Sequence, residues 1–361
     1  MQKVRTAIIG QGRSGRDIHA AALKLLPEKY EIVAIVDPIE ARRQRAQQEL
    51  KCDVYDNHRA LFKRKDLDLI INATPSHLHY PVTLEIIKKG YNVLCEKPLA
   101  KKAKEVDRLI AASQKTGKTF AIFQQSRFAP YFLKVREVIE SGVLGRIVQI
   151  SIAFNGFGRR WDWQTLQEFN GGNLLNTGPH PLDQALFLFG AGMPKVLCRM
   201  DRANTFGDAE DYVKVILWGE GHPVIDMEIS SCCAYSCFTY NVQGTLGGLK
   251  GTTGAMEWKY YKPSEAPAQK VIREPITKPD GTPAYCREEL TWHTGSWEVP
   301  KDQGDLFAII SGRFYGMLYN RITAGTPLEI TPEQVRRQIA VIEECHKQNP
   351  QIYVPKKKAQ A

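Results

Sequence analysis

The chain has 361 residues, 43% hydrophobic and 24% charged, a make-up that suits a soluble globular protein with room for about two domains. No run approaches the roughly 18 apolar residues of a membrane span, and Met1-Gln2-Lys3 leads straight into a strand pattern instead of a signal peptide, so a cytoplasmic location and no membrane partner are expected. The net charge of +10 raises nucleic acid as a partner, but the basic residues are scattered apart from Lys356-Lys357-Lys358 and no binding motif accompanies them, so none is expected.

Val4 to Ile9 reads as a buried strand ending at Gly10. From Gly15 an apolar face of Ile18, Ala21, Ala22, Leu25 and Leu26 predicts a helix stopped by Pro27, and Ile32 to Val36 a second strand closed by Asp37. The turn Gly10-Gln11-Gly12-Arg13-Ser14-Gly15 thus joins a strand to a helix in a βαβ unit, the setting in which such a turn holds a dinucleotide. Gly10 permits the tight turn, Gly12 the approach of a pyrophosphate, and Gly15 close packing of helix on strand. Asp37 would accept hydrogen bonds from a ribose hydroxyl and repel a 2′-phosphate, favouring NAD over NADP, with Arg42 and Arg43 as possible moderators.

Alternation continues: helix 40–50, strand 67–72, helix 81–89, strand 92–95, helix 104–116, strand 119–123. This predicts a doubly wound parallel sheet, with Ala73-Thr74-Pro75 and Glu96-Lys97-Pro98 at carboxyl ends of strands, where ligands bind. The rhythm breaks near residue 125. Beyond it come a helix over 131–141 and strands over 147–154, 196–200, 213–218, 224–230 and 238–242. The expected division is a dinucleotide-binding domain over 1–125 and an α+β domain with a large, mostly antiparallel sheet over 126–361.

Within the second part, Arg159, Arg160, Trp161 and Trp163 precede Gly171 to Asp183, in which Asn176, His180 and Asp183 share a face if helical. Residues 262–300 read as an extended excursion, Thr331-Pro332 opens a last helix to about Lys347, and the chain beyond Asn349 is expected to fray. Of eight cysteines, Cys232, Cys233 and Cys237 cluster without CxxC spacing, so reduced thiols and no metal site are expected.

Together the Gly10–Gly15 turn, Ala73-Thr74-Pro75 with His79, Glu96-Lys97-Pro98-Leu99, Arg127-Phe128, Gly142 to Gly145 and Gly171 to Asp183 resemble the Gfo/Idh/MocA oxidoreductase family over nearly the whole chain. The resemblance implies a Rossmann domain, a second domain whose open sheet often mediates oligomers (here a dimer or tetramer), and NAD(P)-dependent oxidation or reduction of sugars and cyclitols. It implies a catalytic lysine and histidine at Lys97 and His180, and places Asn176 where the family has an aspartate; Asp183 matches a further acidic position. The residues expected at the cofactor are those of the Gly10–Gly15 turn, Asp37, Ala73, Thr74, Pro75, His79, Glu96 and Lys97. Those expected at the substrate are Lys97, Arg127, Arg159, Trp161, Trp163, Asn176, His180 and Asp183.

A histidine of ordinary pKa near 6.5 suits a general base, so His180 is expected to take the hydroxyl proton while Lys97 holds the same oxygen. Lys97 as the base is the open alternative. Two competitors stand beside a dehydrogenase: an NAD-assisted glycosidase with no net redox change, and a dinucleotide-sensing protein, the latter favoured by Asn176.

Overall fold

The structure, a computed structural model, describes residues 2–299 and 306–353; Lys356-Lys357-Lys358 lie outside them. The βαβ rhythm gives β1 (Val4–Ile9), β2 (Tyr30–Val36), β3 (Asp53–Tyr55), β4 (Leu69–Asn72), β5 (Asn92–Cys95) and β6 (Phe120–Ile122). These form one parallel sheet in the order β3-β2-β1-β4-β5-β6. The order reverses direction at β1, so the crevice for a ligand opens beside the carboxyl ends of β1 and β4. Apart from Arg5 and Asn92, the runs of β1, β4 and β5 are buried, as a sheet covered on both faces requires.

The second sheet comprises β7 (Ile147–Asn155), β8 (Lys195–Asp201), β9 (Tyr212–Trp218), β10 (Val224–Ser230), β11 (Tyr240–Gly244), β12 (Gly247–Gly251), β13 (Ala255–Tyr260) and β14 (His293–Glu298). Its order is β14-β13-β12-β11-β7-β10-β9-β8, antiparallel except where β7 lies parallel to β10. Burial alternates along β9 and β10, with Val213, Val215, Ile225 and Met227 turned to the core and Lys214, Asp226 and Glu228 on the other face. The helices Pro179–Phe189 and Pro332–Lys347 pack on this sheet and on each other.

Several elements differ from the expectation. The helix after the glycine turn is a wide π-type stretch, Ser14–Ala20, followed by one α turn, Ala21–Lys24. The excursion after Tyr260 returns as the edge strand β14, and its Trp292 lies under the Lys259 ammonium, 4.7 Å from the ring centre. The helix Leu306–Ala324, given no reading above, packs on the first sheet and not only within the second half of the chain. Tyr315 bonds His19 Nδ1 through its hydroxyl at 2.7 Å, and its carbonyl accepts from the Tyr30 hydroxyl at 2.7 Å. Nor does the chain fray at once after Asn349, because Tyr353 is docked by a hydrogen bond to Glu210.

Candidate active site

The glycine turn is built by close approach. Gly10 has φ +98, and a Cβ there would collide with the Ala73 carbonyl; a Cβ at Gly15 would collide with the Gly10 carbonyl. Gly12 meets only the Arg42 side chain, 3.8 Å away, so its backbone stays open toward the crevice. That is room for a phosphate at the start of a helix. Asp37 is 2% exposed and braces the turn: Oδ2 accepts from Gln11 N at 2.7 Å and Oδ1 from Ile39 N at 2.9 Å. Arg42 Nη1 stands 3.5 Å from Oδ2.

A cleft of about 850 Å³ runs along these strand ends. Gly10, Gly12, Arg13, Ser14, Asp37, Ala73, Thr74, Pro75, His79, Glu96 and Lys97 line one side, and Arg160, Asp162, Trp163, Gln164 and Phe169 the other. Of the residues expected at the cofactor, Gln11 and Gly15 do not line it. Gln11 is buried, and its amide is already taken by Asp37. His79 is enclosed between the two motifs, with Nδ1 2.7 Å from the Pro98 carbonyl and Nε2 2.8 Å from that of Thr74. Burial pushes its pKa down, although both carbonyls favour the proton, so His79 acts as a clip between the two loops.

Glu96 is 3% exposed. Oε1 lies 3.2 Å from His19 Nε2, off the ideal hydrogen-bond direction, and Oε2 accepts from Lys97 N at 2.9 Å. Burial pushes this carboxyl up, but His19, with the nearby charge of Lys97, outweighs it and holds the pKa down to about 2. Lys97 Nζ donates to the Asn176 backbone carbonyl at 2.9 Å. Burial pushes the ammonium below its ordinary 10.5; Glu96 opposes this, while Arg13 and Arg160 add to it.

His180 sits near the start of the helix Pro179–Phe189 and does not line the cleft directly. The residue as a whole is half-buried, but Nδ1 is enclosed without a hydrogen-bond partner. Burial and the Lys97 charge push its pKa down to about 3, with Glu96 pulling weakly the other way. This departs from the expected base of pKa near 6.5, and burial is the main reason. The Asn176 amide, where the resemblance leads one to expect an aspartate, has its oxygen 3.3 Å from Gln164 Nε2.

Arg127 and Asp183, expected at the substrate, pair with each other instead. Arg127 Nε donates to Asp183 Oδ2 at 2.9 Å, Nη2 to Oδ1, and Nη1 to Gln334 Oε1 at 2.5 Å. Both are almost fully buried, and neither lines the cleft. The pair fastens the helix that carries His180 to the last helix. Trp161 is 80% exposed and Arg159 lies over the Phe206 ring, 4.9 Å from its centre, so these two also stand outside the cleft. Trp163 does line it, edge-on to Phe169, which in turn meets His77.

Asp162 and Gln164 are cleft residues that sequence reading missed. Arg160 donates to Asp162 at 2.7 Å and to Gln164 Oε1 at 2.5 Å, continuing through Gln164 to Asn176. Gln164 sits in the short 3-10 turn Trp163–Thr165 and Trp163 lines the cleft beside it, so no simple alternation marked these residues in the sequence. Among the described residues, no group of three or more His, Cys, Asp or Glu side chains is arranged to hold a metal ion.

A glycine turn at β1, an acid ending β2 and a lysine at the end of β5, facing a second sheet domain across a cleft, define a dinucleotide-binding oxidoreductase architecture. Comparison with known proteins agrees. Residues 4–124 match the model of the oxidoreductase family with an NAD-binding Rossmann fold, and residues 132–250 match the GFO/IDH/MocA C-terminal domain. The chain belongs to the Gfo/Idh/MocA family of NAD-binding oxidoreductases, whose members include sugar and cyclitol dehydrogenases.

It is 30% identical to a 2,7-anhydro-N-acetylneuraminate hydratase of Mediterraneibacter gnavus over 69% of this chain and 67% of that one. It is 29% identical to the scyllo-inositol 2-dehydrogenase (NADP(+)) IolW of Bacillus subtilis over 60% and 62%. In fold it is similar to the WlbA dehydrogenase of Bordetella pertussis, solved with NADH and UDP-GlcNAcA, with a TM-score of 0.77 at 18% identity, covering 99% of both chains.

Proposed function

We propose that the protein is an NAD-dependent dehydrogenase that moves a hydride between a hydroxyl-bearing carbon of a sugar, glycoside or cyclitol and the nicotinamide, acting in the cytoplasm. The observation that carries this is the Lys97 ammonium, set at the end of β5 in the interdomain cleft with its pKa lowered by burial. The crevice beside Gly12, Arg13 and Ser14 has the open backbone and helix start that a pyrophosphate needs, and Asp37 lies where a ribose would end. Bound there, the dinucleotide supplies the hydride acceptor.

The chain's own residues do the rest. Lys97 in its neutral form takes the hydroxyl proton, and in its charged form it holds the oxygen that gains negative charge. His180, neutral at physiological pH by the reasoning above, offers a hydrogen bond but a weak base. This reverses the proton roles expected from sequence. Trp163 and Arg160 line the substrate side, and Phe169 helps exclude water. Asp37 favours NAD, although Arg42 beside it could soften the preference, and the relative named for NADP(+) keeps that comparison worth making.

The test is absorbance at the NADH wavelength when the protein and NAD meet a panel of hexoses, glycosides, uronates and inositols. Net NADH formation is the expected result. A second reading, transient oxidation with no net redox change, is kept because one relative is named a hydratase; product release without NADH would select it. NADH binding with no turnover would select a sensor. We also infer that the polar open face of the second sheet receives another copy of the chain, which light scattering in solution would show as a dimer or tetramer.

A further inference from the structure

Glu210 stands just ahead of β9, 2% exposed, and lines a small void behind the cleft instead of the cleft itself. Its backbone carbonyl accepts from Asn173 N at 3.0 Å, and its Oε1 from Leu174 N at 2.8 Å. Gly172 has φ +107, and any side chain there would collide with the Glu210 carboxylate. Asn173 Nδ2 donates to the Asp211 carbonyl at 2.7 Å. The single helical turn Asn173–Asn176 is therefore hung on Glu210-Asp211 at its start. At its other end, the Asn176 carbonyl receives Lys97 Nζ at 2.9 Å.

We propose that Glu210 is a positioning residue for Lys97, acting through the Asn173–Asn176 turn, with Tyr353 clamping its carboxylate. This rests on the reading of Lys97 as the group that handles the substrate proton. One turn of helix holds itself weakly, because helix nucleation is unfavourable: this turn closes Asn176 N to Gly172 O and Thr177 N to Asn173 O, both 2.9 Å, and Gly178 N to Asn173 O at 2.8 Å before the chain runs on into the helix Pro179–Phe189. Leu174 and Leu175 seat it in the core, but apolar burial has no direction. The hydrogen bonds that Asn173 N and Leu174 N donate to Glu210 have direction, so they help set where the Asn176 carbonyl points.

Tyr353 donates to Glu210 Oε2 and stacks on His346, ring centres 3.9 Å apart, which ties the end of the described chain to the same carboxylate. Burial pushes Glu210 up to about 7, against the bonds from Tyr353 and Leu174, and Asp211 adds to the rise. The other titratable and charged groups around it are His346, pushed down to about 3 by burial and Lys101, Asp208 beside Tyr353, Cys345 on the last helix, and Arg160 across the void.

A carboxyl raised in the folded state contributes stability that is fully present below its ordinary 4.5 and is lost as pH rises through about 7.

The test uses full-length Glu210→Ala, Glu210→Gln and Tyr353→Phe. Three quantities are read: kcat and KM on the sugar panel, NADH affinity, and the titration of Lys97 by NMR with ε-13C-lysine, assigned by loss of its signal in Lys97→Met. Glu210→Ala is expected to lower kcat about tenfold or more with NADH affinity unchanged, since small misplacements of catalytic groups cost up to about 10²-fold. It should also move the Lys97 titration down by about half a unit as the carbonyl acceptor is lost. Glu210→Gln, which keeps an acceptor for Leu174 N, should restore both; Tyr353→Phe should give a smaller change in the same direction. An unchanged Lys97 titration in Glu210→Ala overturns the proposal, as does a loss of kcat fully matched by loss of NADH-binding protein. Should no sugar be turned over by the unmutated protein, the dehydrogenase reading falls, and the Lys97 titration still decides the positioning role.

Discussion

The two sides of the cleft are built differently. On the dinucleotide side the cleft is framed by the ends of β1, β4 and β5, where Gly10 and Gly15 are required by close approach of backbone. On the substrate side the lining comes from side chains on a loop, Arg160 and Gln164 among them, each aimed by another side chain, with Asn176 holding Gln164 from behind. Backbone requirements leave local signatures in sequence, whereas side-chain networks are decided by what lies across in space. One side can therefore be read from residue spacing, and the other only from geometry.

The sharpest break of this comparison is at Arg127, which spacing assigns to the substrate and geometry to the fold. Arg127→Met should leave Asp183 as an unpaired buried charge and cost about 3–5 kcal/mol of stability, read by denaturant unfolding. At temperatures where the variant stays folded, its KM should be close to that of the unmutated protein; a selective rise in KM would return Arg127 to the substrate. Asp37 tests the dinucleotide side. Asp37→Asn removes the charge but keeps oxygen for the Gln11 amide, so the preference for NAD over NADP, measured as the ratio of kcat/KM values, should fall by about tenfold, some 1.4 kcal/mol.

A smaller effect is expected at Asn176. A carboxylate favours a charged imidazole, so Asn176→Asp should raise the His180 pKa from about 3 by about one unit or more, followed by NMR titration of the ring. If the value does not move, the two side chains do not communicate as the helical spacing suggests. Activity of the unmutated protein should rise with pH as Lys97 loses its proton, with a midpoint below the ordinary 10.5.

The alternation of strand and helix, the glycine turn and the placement of Thr74-Pro75 and Lys97 at strand ends were legible because burial and periodicity act within short windows. The helix Leu306–Ala324 passed unread although it is apolar, because its role depends on Tyr30 and His19, nearly 300 residues away in sequence. Glu210 gave no signal at all. An acidic residue before a strand looks like any solvated charge until the Leu174 amide and the Tyr353 hydroxyl are seen to meet it. His180 was paired with Lys97 by the family resemblance, but its pKa follows from burial and from the Lys97 charge, which no spacing reports.

The central claim is that Lys97 handles the substrate proton in a site that binds the dinucleotide independently of it. It is tested most directly by Lys97→Met, with NADH binding and steady-state turnover measured on the same preparation. The account predicts NADH affinity within about twofold of the unmutated protein, a change of roughly 0.4 kcal/mol, together with a loss of kcat of about 10³-fold or more. Turnover near that of the unmutated protein, with NADH still bound, would contradict it.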